Sequence, residues 1–97
     1  MSETLTVIAR LKAAAGQQTR LRQELHRSVA PTRAEAGCVR YELHESDAEP
    51  GDFMFYEVWR SATDLDTHFQ TPHMLAISNV LPELLAGPMD LSKWTKL

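Results

Sequence analysis

Hydrophobic and polar residues alternate from Thr4 to Lys12, with Leu5, Val7, Ala9 and Leu11 on one face and Thr6, Ile8, Arg10 and Lys12 on the other. A period of two, rich in β-branched residues, predicts a strand. Gly16 lies in the turn that follows. From Gln17 the period lengthens. Leu21, Leu25 and Val29 recur four apart while Arg20, Arg22, Glu24 and Arg27 point away, which predicts an amphipathic helix. Pro31 removes one helical hydrogen bond and is expected to bend the helix near its end. Gly37 is expected to stop it in a left-handed conformation.

Alternation returns from Cys38 to Ser46, with Val39, Tyr41 and Leu43 set against Arg40, Glu42 and His44. A polar loop over 47–52 follows, and Phe53 to Arg60 reads as a third strand, antiparallel to the second. Ser61-Ala-Thr-Asp64 has the spacing of a capping box, with Asp in place of Glu. Leu65, His68 and Phe69 then share a helix face. Thr71-Pro72 restarts a helix, with Thr71 as N-cap and Pro72 in the first turn. Leu75, Ser78, Leu81 and Leu85 are expected to form its apolar stripe, and Pro82 to kink it. Gly87-Pro88 ends it, and Met89 to Leu97 reads as a final strand. The order is β-α-β-β-α-β, the ferredoxin-like arrangement of the α+β class, with helices on one face of an antiparallel sheet.

Both faces of the third strand are bulky: Phe53, Phe55 and Trp59 on one, Met54, Tyr56 and Val58 on the other. Burial on both sides calls for a second layer, most simply the sheet of a second copy, so a homodimer is expected. A chain of 97 residues buries only roughly 60–65% of its unfolded surface, which adds to the gain from pairing.

Composition narrows the function classes. One domain over 1–97 is expected from the length, with 43% apolar and 24% charged residues as in ordinary globular proteins. Acidic and basic residues are interleaved at a net charge of −3, so neither nucleic acid nor an anionic membrane is an expected partner. No apolar run approaches the roughly 20 residues of a membrane span. The start, Met-Ser-Glu-Thr, has no secretion-signal pattern, and Cys38 stands alone; a cytoplasmic location is expected.

Four residues carry candidate chemistry. Glu57 shares a strand face with Phe55 and Trp59, where a carboxylate is either a pocket acid or base, or ion-paired with Arg10 or Arg40. Trp59 is either a stacking wall for a planar substrate or a core residue. His68, between Leu65 and Phe69, is either a satisfied core imidazole or a proton-transfer group. His73 begins the next helix. His68 and His73 straddle Thr71-Pro72 and do not share one helix face, and nothing in the spacing with His44 or Glu57 demands a metal, so none is expected. No phosphate loop, nucleophile elbow or Cys-His pair occurs, so no nucleotide cofactor is signalled.

Glu57-Val-Trp59-Arg-Ser61, followed by Leu65, His68 and Gln70-Thr-Pro-His73-Met, resembles the antibiotic-biosynthesis monooxygenase domain family. Leu5-Thr-Val-Ile-Ala9 and Gly37-Cys38 resemble in particular its branch of small bacterial quinol monooxygenases. The resemblance spans about Thr4 to Trp94. It implies a ferredoxin-like fold paired into a dimeric α+β barrel. It also implies oxygenation, without a cofactor, of a small hydroquinone or phenol by dioxygen. Under it, His68 and Glu57 are the candidate catalytic groups, and Trp59, Phe55, Tyr41, His44, Phe69 and His73 the candidate substrate contacts.

The carry-over is uneven. Polyketide-oxidising members have an Asn and a Tyr where this chain has Phe55 and Leu65. Haem-degrading relatives have an Asn, a Trp and a haem-ligating His at positions that here are Ala9, His68 and Ser78, so haem is not expected. The family also contains isomerases of small phosphorylated sugar-like signals and non-catalytic binding barrels. These remain the alternatives.

Overall fold

The computed structural model describes residues 4–97. Met1, Ser2 and Glu3, part of the start read for a secretion signal and of the expected 1–97 domain, lie outside the described residues. The strands are β1 (Leu5–Lys12), β2 (Cys38–Glu45), β3 (Asp52–Trp59) and β4 (Asp90–Thr95). They form one sheet in the order β2-β3-β1-β4, with every neighbouring pair antiparallel. The helices are α1 (Gln18–Arg27), α2 (Val29–Arg33), α3 (Ala62–Phe69) and α4 (Pro72–Leu84). This is the ferredoxin-like α+β fold expected from the alternation pattern. Among the described residues no helix is long and apolar enough to cross a membrane.

The core forms between the helices and one sheet face. Val7, Ala9 and Leu11 of β1 lie beside Phe53, Phe55 and Trp59 of β3, all buried. Leu21 and Leu25 of α1, Leu65 of α3, and Ile77 and Leu84 of α4 close over them. Each such large apolar side chain contributes about 1.5–3 kcal/mol on full burial. Arg22 ties α1 to the β2–β3 hairpin by forking Glu45 through Nε (2.8 Å) and Nη2 (2.7 Å). Among the described residues, no helix packs over the opposite sheet face, which carries Thr6, Tyr56, Val58 and Trp94.

The first helix departs from expectation at its end. It breaks at Ser28, before Pro31. Pro31 has no N–H to reach the Arg27 carbonyl, so the chain starts a new helix in which Pro31 occupies the first turn. Ser28 fills the gap, its N–H and hydroxyl both bonding the Leu25 carbonyl at 3.1 and 2.7 Å.

Gly37 is not left-handed; positive φ occurs at Gly16 and Gly51. Its constraint is spatial, because a Cβ there would run into the Asp64 side chain. The α4 stripe is also displaced. Ile77 and Leu84 are buried, while Leu75 is 51% exposed and Ser78 is exposed. Pro72 sets the start of α4, and its phase puts Met74, Ile77, Leu81 and Leu84 inward rather than Leu75 and Ser78.

Ser61 caps α3 as its sequence pattern predicts, accepting the Asp64 N–H at 3.1 Å. Thr71 occupies the N-cap of α4 without a side-chain cap bond. Its hydroxyl is committed to the His68 carbonyl at 2.7 Å instead.

Candidate functional site

A cavity of about 140 Å³ lies between the helix-covered sheet face and the helices. Its walls include Ala9, Tyr41, Phe55 and Glu57 from the sheet, and His68, Phe69, Met74 and Ile77 from α3 and α4. The strand period puts Tyr41 and Glu57 on this face as a directly paired couple, and Leu43 and Phe55 as the next. The Tyr41 and Phe55 rings stack with centroids 4.6 Å apart, giving the cavity a flat aromatic wall.

Glu57 is 4% exposed. Its Oε1 accepts the Trp59 indole N–H at 2.8 Å. Loss of water around the carboxylate raises its pKa from 4.5 to about 7; the Trp59 bond pulls it down and the Glu35 charge adds a smaller upward push. Neither Arg10 nor Arg40 pairs with it. Arg10 reaches Asp52 at 3.6 Å and Arg40 reaches Glu42 at 3.0 Å. Both Arg positions alternate with the inward residues and so project from the other sheet face. Within one chain, therefore, Glu57 forms no ion pair with Arg10 or Arg40.

His68 is 1% exposed and lines the cavity. Its Nδ1 lies 2.8 Å from Oε2 of Glu35, in the segment between α2 and β2. His73 Nε2 lies 2.8 Å from the same oxygen. Burial lowers the His68 pKa against the raising influence of Glu35, so the imidazole favours its neutral form. A neutral His68 beside a carboxylate carries its proton on Nδ1 and leaves Nε2 as an acceptor. The Tyr41 hydroxyl is pushed up, first by burial and then by Glu57, and stays protonated.

The structure brings Glu57, His68, Tyr41, Phe55 and Phe69 to one cavity and leaves three candidates outside it. Trp59 has no exposed face; its ring is packed 4.6 Å from His68 and 6.4 Å from Tyr41, so it holds Glu57 from behind and offers no stacking wall. His44 is exposed, because Tyr41 and Leu43 face the cavity and the residue after Leu43 must face away. His73 meets Glu35 on the far side of His68 and borders a separate shallow groove with Glu24 and Arg27. Glu35 itself has no sequence signal. It sits among Ala34, Ala36 and Gly37, and only the fold delivers it to two histidines from other helices.

Residues 4–80 match the pattern of the family described as Antibiotic biosynthesis monooxygenase. The Mycobacterium tuberculosis protein named "Putative monooxygenase Rv0793" is 38% identical over 92 residues, 95% of this chain and 90% of that protein. The Synechocystis protein sll1783 is 41% identical over 63 residues, 65% of this chain but only 43% of that longer protein. Among solved structures, PA3566 from Pseudomonas aeruginosa superposes with a TM-score of 0.95 at 38% identity, covering 100% of this chain and 97% of that one.

Proposed function

Because the chain belongs to the antibiotic biosynthesis monooxygenase family, we propose that it oxidises a small hydroquinone or phenol with dioxygen, using no bound cofactor. One observation carries this reading. Glu57, a carboxylate with a pKa of about 7, is buried in a cavity with a flat aromatic wall. A base poised near the working pH combines a useful ionised fraction with useful proton affinity.

Glu57 takes a phenolic proton, and the resulting anion passes one electron to dioxygen. Superoxide and the semiquinone then combine at a ring carbon. Loss of water gives the balance hydroquinone plus dioxygen to hydroxyquinone plus water. His68 presents its ring edge to the same space as an acceptor that orients the second hydroxyl. The helices over the cavity keep water from the radical pair. A cavity of about 150 Å³ holds one benzene-sized ring, so the cavity size favours a single-ring substrate.

Among the described residues, no Arg or Lys lines the cavity. An isomerase of a phosphorylated sugar would need such a cation, which weighs against that alternative. A homodimer through the helix-free sheet face completes the reading. There Tyr56 and Val58 are half-buried beside Trp94, which is 56% exposed. A cytoplasmic setting fits the unpaired Cys38.

The deciding experiment follows oxygen uptake and quinone formation with methylhydroquinone and with menadiol, aerobically and anaerobically. Turnover above the uncatalysed rate, faster for the single-ring compound and abolished without oxygen, supports the proposal. Rates equal to the blank for both compounds reject it in favour of a binding role.

A further inference from the structure

Behind the cavity lies a second constellation, which shares His68 with the cavity and adds Glu35 and His73, two groups the proposed oxidation does not use. Glu35 Oε2, His68 Nδ1 and His73 Nε2 all lie within 4.8 Å of one another, and each imidazole nitrogen is 2.8 Å from the carboxylate oxygen. We infer that Glu35, His68 and His73 form a binding site for a divalent first-row transition cation, with zinc as the representative ion.

The donor set fits this class. Two imidazoles and one carboxylate suit zinc and its neighbours, whereas magnesium and calcium prefer all-oxygen sites. Zinc–ligand distances of about 2.0–2.1 Å in a tetrahedral site put neighbouring donors about 3.3 Å apart. Each histidine nitrogen withdraws from Oε2 by about half an ångström, and the two nitrogens, within 4.8 Å of each other, adjust to the same spacing as the ion takes its place among them. Thr71 Oγ1 is 3.2 Å from His73 Nε2 and already gives its hydrogen to the His68 carbonyl. Its oxygen is thus an acceptor at the edge of the cluster.

Access is graded. The His68 side chain is 1% exposed, Glu35 13% and His73 22%, so an ion enters from the His73 side. The cation bordering that approach, Arg27, is paired with Glu24 at 3.3 Å and is less available to repel it. Because the three ligands come from the α2–β2 segment, α3 and α4, a bound ion cross-links elements far apart in the chain.

The test uses the intact, metal-stripped protein without substrate, so its result is independent of the proposed oxidation. Titration with zinc by calorimetry and with cobalt(II) by absorption is expected to give one site per chain. The cobalt complex should show the visible bands of a low-coordinate nitrogen–oxygen site. Zinc at 100-fold excess over Kd should raise the melting temperature by about 10 °C. His73→Ala, at the most exposed ligand, should weaken binding by more than the roughly 10–100-fold of an outer-shell change. Glu35→Gln should do the same, while His44→Ala on the far sheet face leaves binding intact. Absence of the cobalt bands and of the thermal shift in wild type overturns the inference. So does binding undiminished in both His73→Ala and Glu35→Gln.

Discussion

Trp59 and Glu57 are two positions apart on the same face of β3, and the indole N–H of one closes on the carboxylate of the other at 2.8 Å inside the core. The bond stabilises the ionised carboxylate in a place that otherwise disfavours charge. Trp59→Phe keeps an aromatic, though smaller, side chain in the core and removes the donor. The pKa of Glu57 should then rise above about 7, moving the midpoint of the pH–rate profile up by about one pH unit. An unchanged midpoint would show that Glu57 does not govern the rate.

Glu57→Gln preserves shape and hydrogen-bonding capacity but cannot take a proton. It is expected to lower kcat by about 10²–10⁴-fold with the fold retained. Steady-state kinetics with methylhydroquinone, alongside circular dichroism, checks both halves of that expectation.

The same carboxylate makes stability depend on pH. Its folded pKa, about 7, lies above the ordinary 4.5, so the folded state holds this proton more tightly than the unfolded chain does. The contribution is fully present below about pH 4.5, falls as pH rises, and is lost above about 7; its ceiling is about 3 kcal/mol. His68 acts in the opposite sense, since its lowered pKa makes folding more favourable as its unfolded counterpart loses its proton. The measurement is therefore a difference. Urea unfolding of wild type minus Glu57→Gln should decline from pH 5 to pH 8, and a flat difference would contradict the assignment.

Gly37 is held by proximity. Gly37→Ala drives a methyl into the Asp64 side chain, which is fixed by Arg60 at 2.8 and 2.9 Å and by the Ser61 hydroxyl. A loss of about 1–3 kcal/mol is expected in chemical denaturation. Asp64→Ala in the same background should return part of it.

Val58→Glu puts a charge on the helix-free face of the sheet, opposite Thr6 of β1. Sedimentation of the wild type should give a dimer and of the variant a monomer, each with the same far-ultraviolet dichroism. A wild-type monomer at micromolar concentration would remove the dimer from the proposal.

Periodicity made the sheet and its inner face legible, because a period of two assigns every β1 and β3 side chain at once. Glu57 was visible for the same reason, as the one charged residue between Phe55 and Trp59. The break at Ser28 was harder to place, since a proline announces a missing N–H but not the side on which the chain will restart. Val39 misled the alternation of β2. A bulge between Cys38 and Arg40 turns it outward, where it is 56% exposed. Glu35 was out of reach, because its partners lie 33 and 38 positions away and no local pattern links an isolated acid to them.

That bulge reaches beyond one valine. β2 is an edge of the sheet, and a straight edge of free N–H and C=O groups invites another strand to add on. Here a bulge interrupts the edge at its start, and the charged Arg40 and Glu42 follow it along the strand. Lateral growth from this side is therefore discouraged. A strand approaching the β2 edge therefore meets a template interrupted at its start.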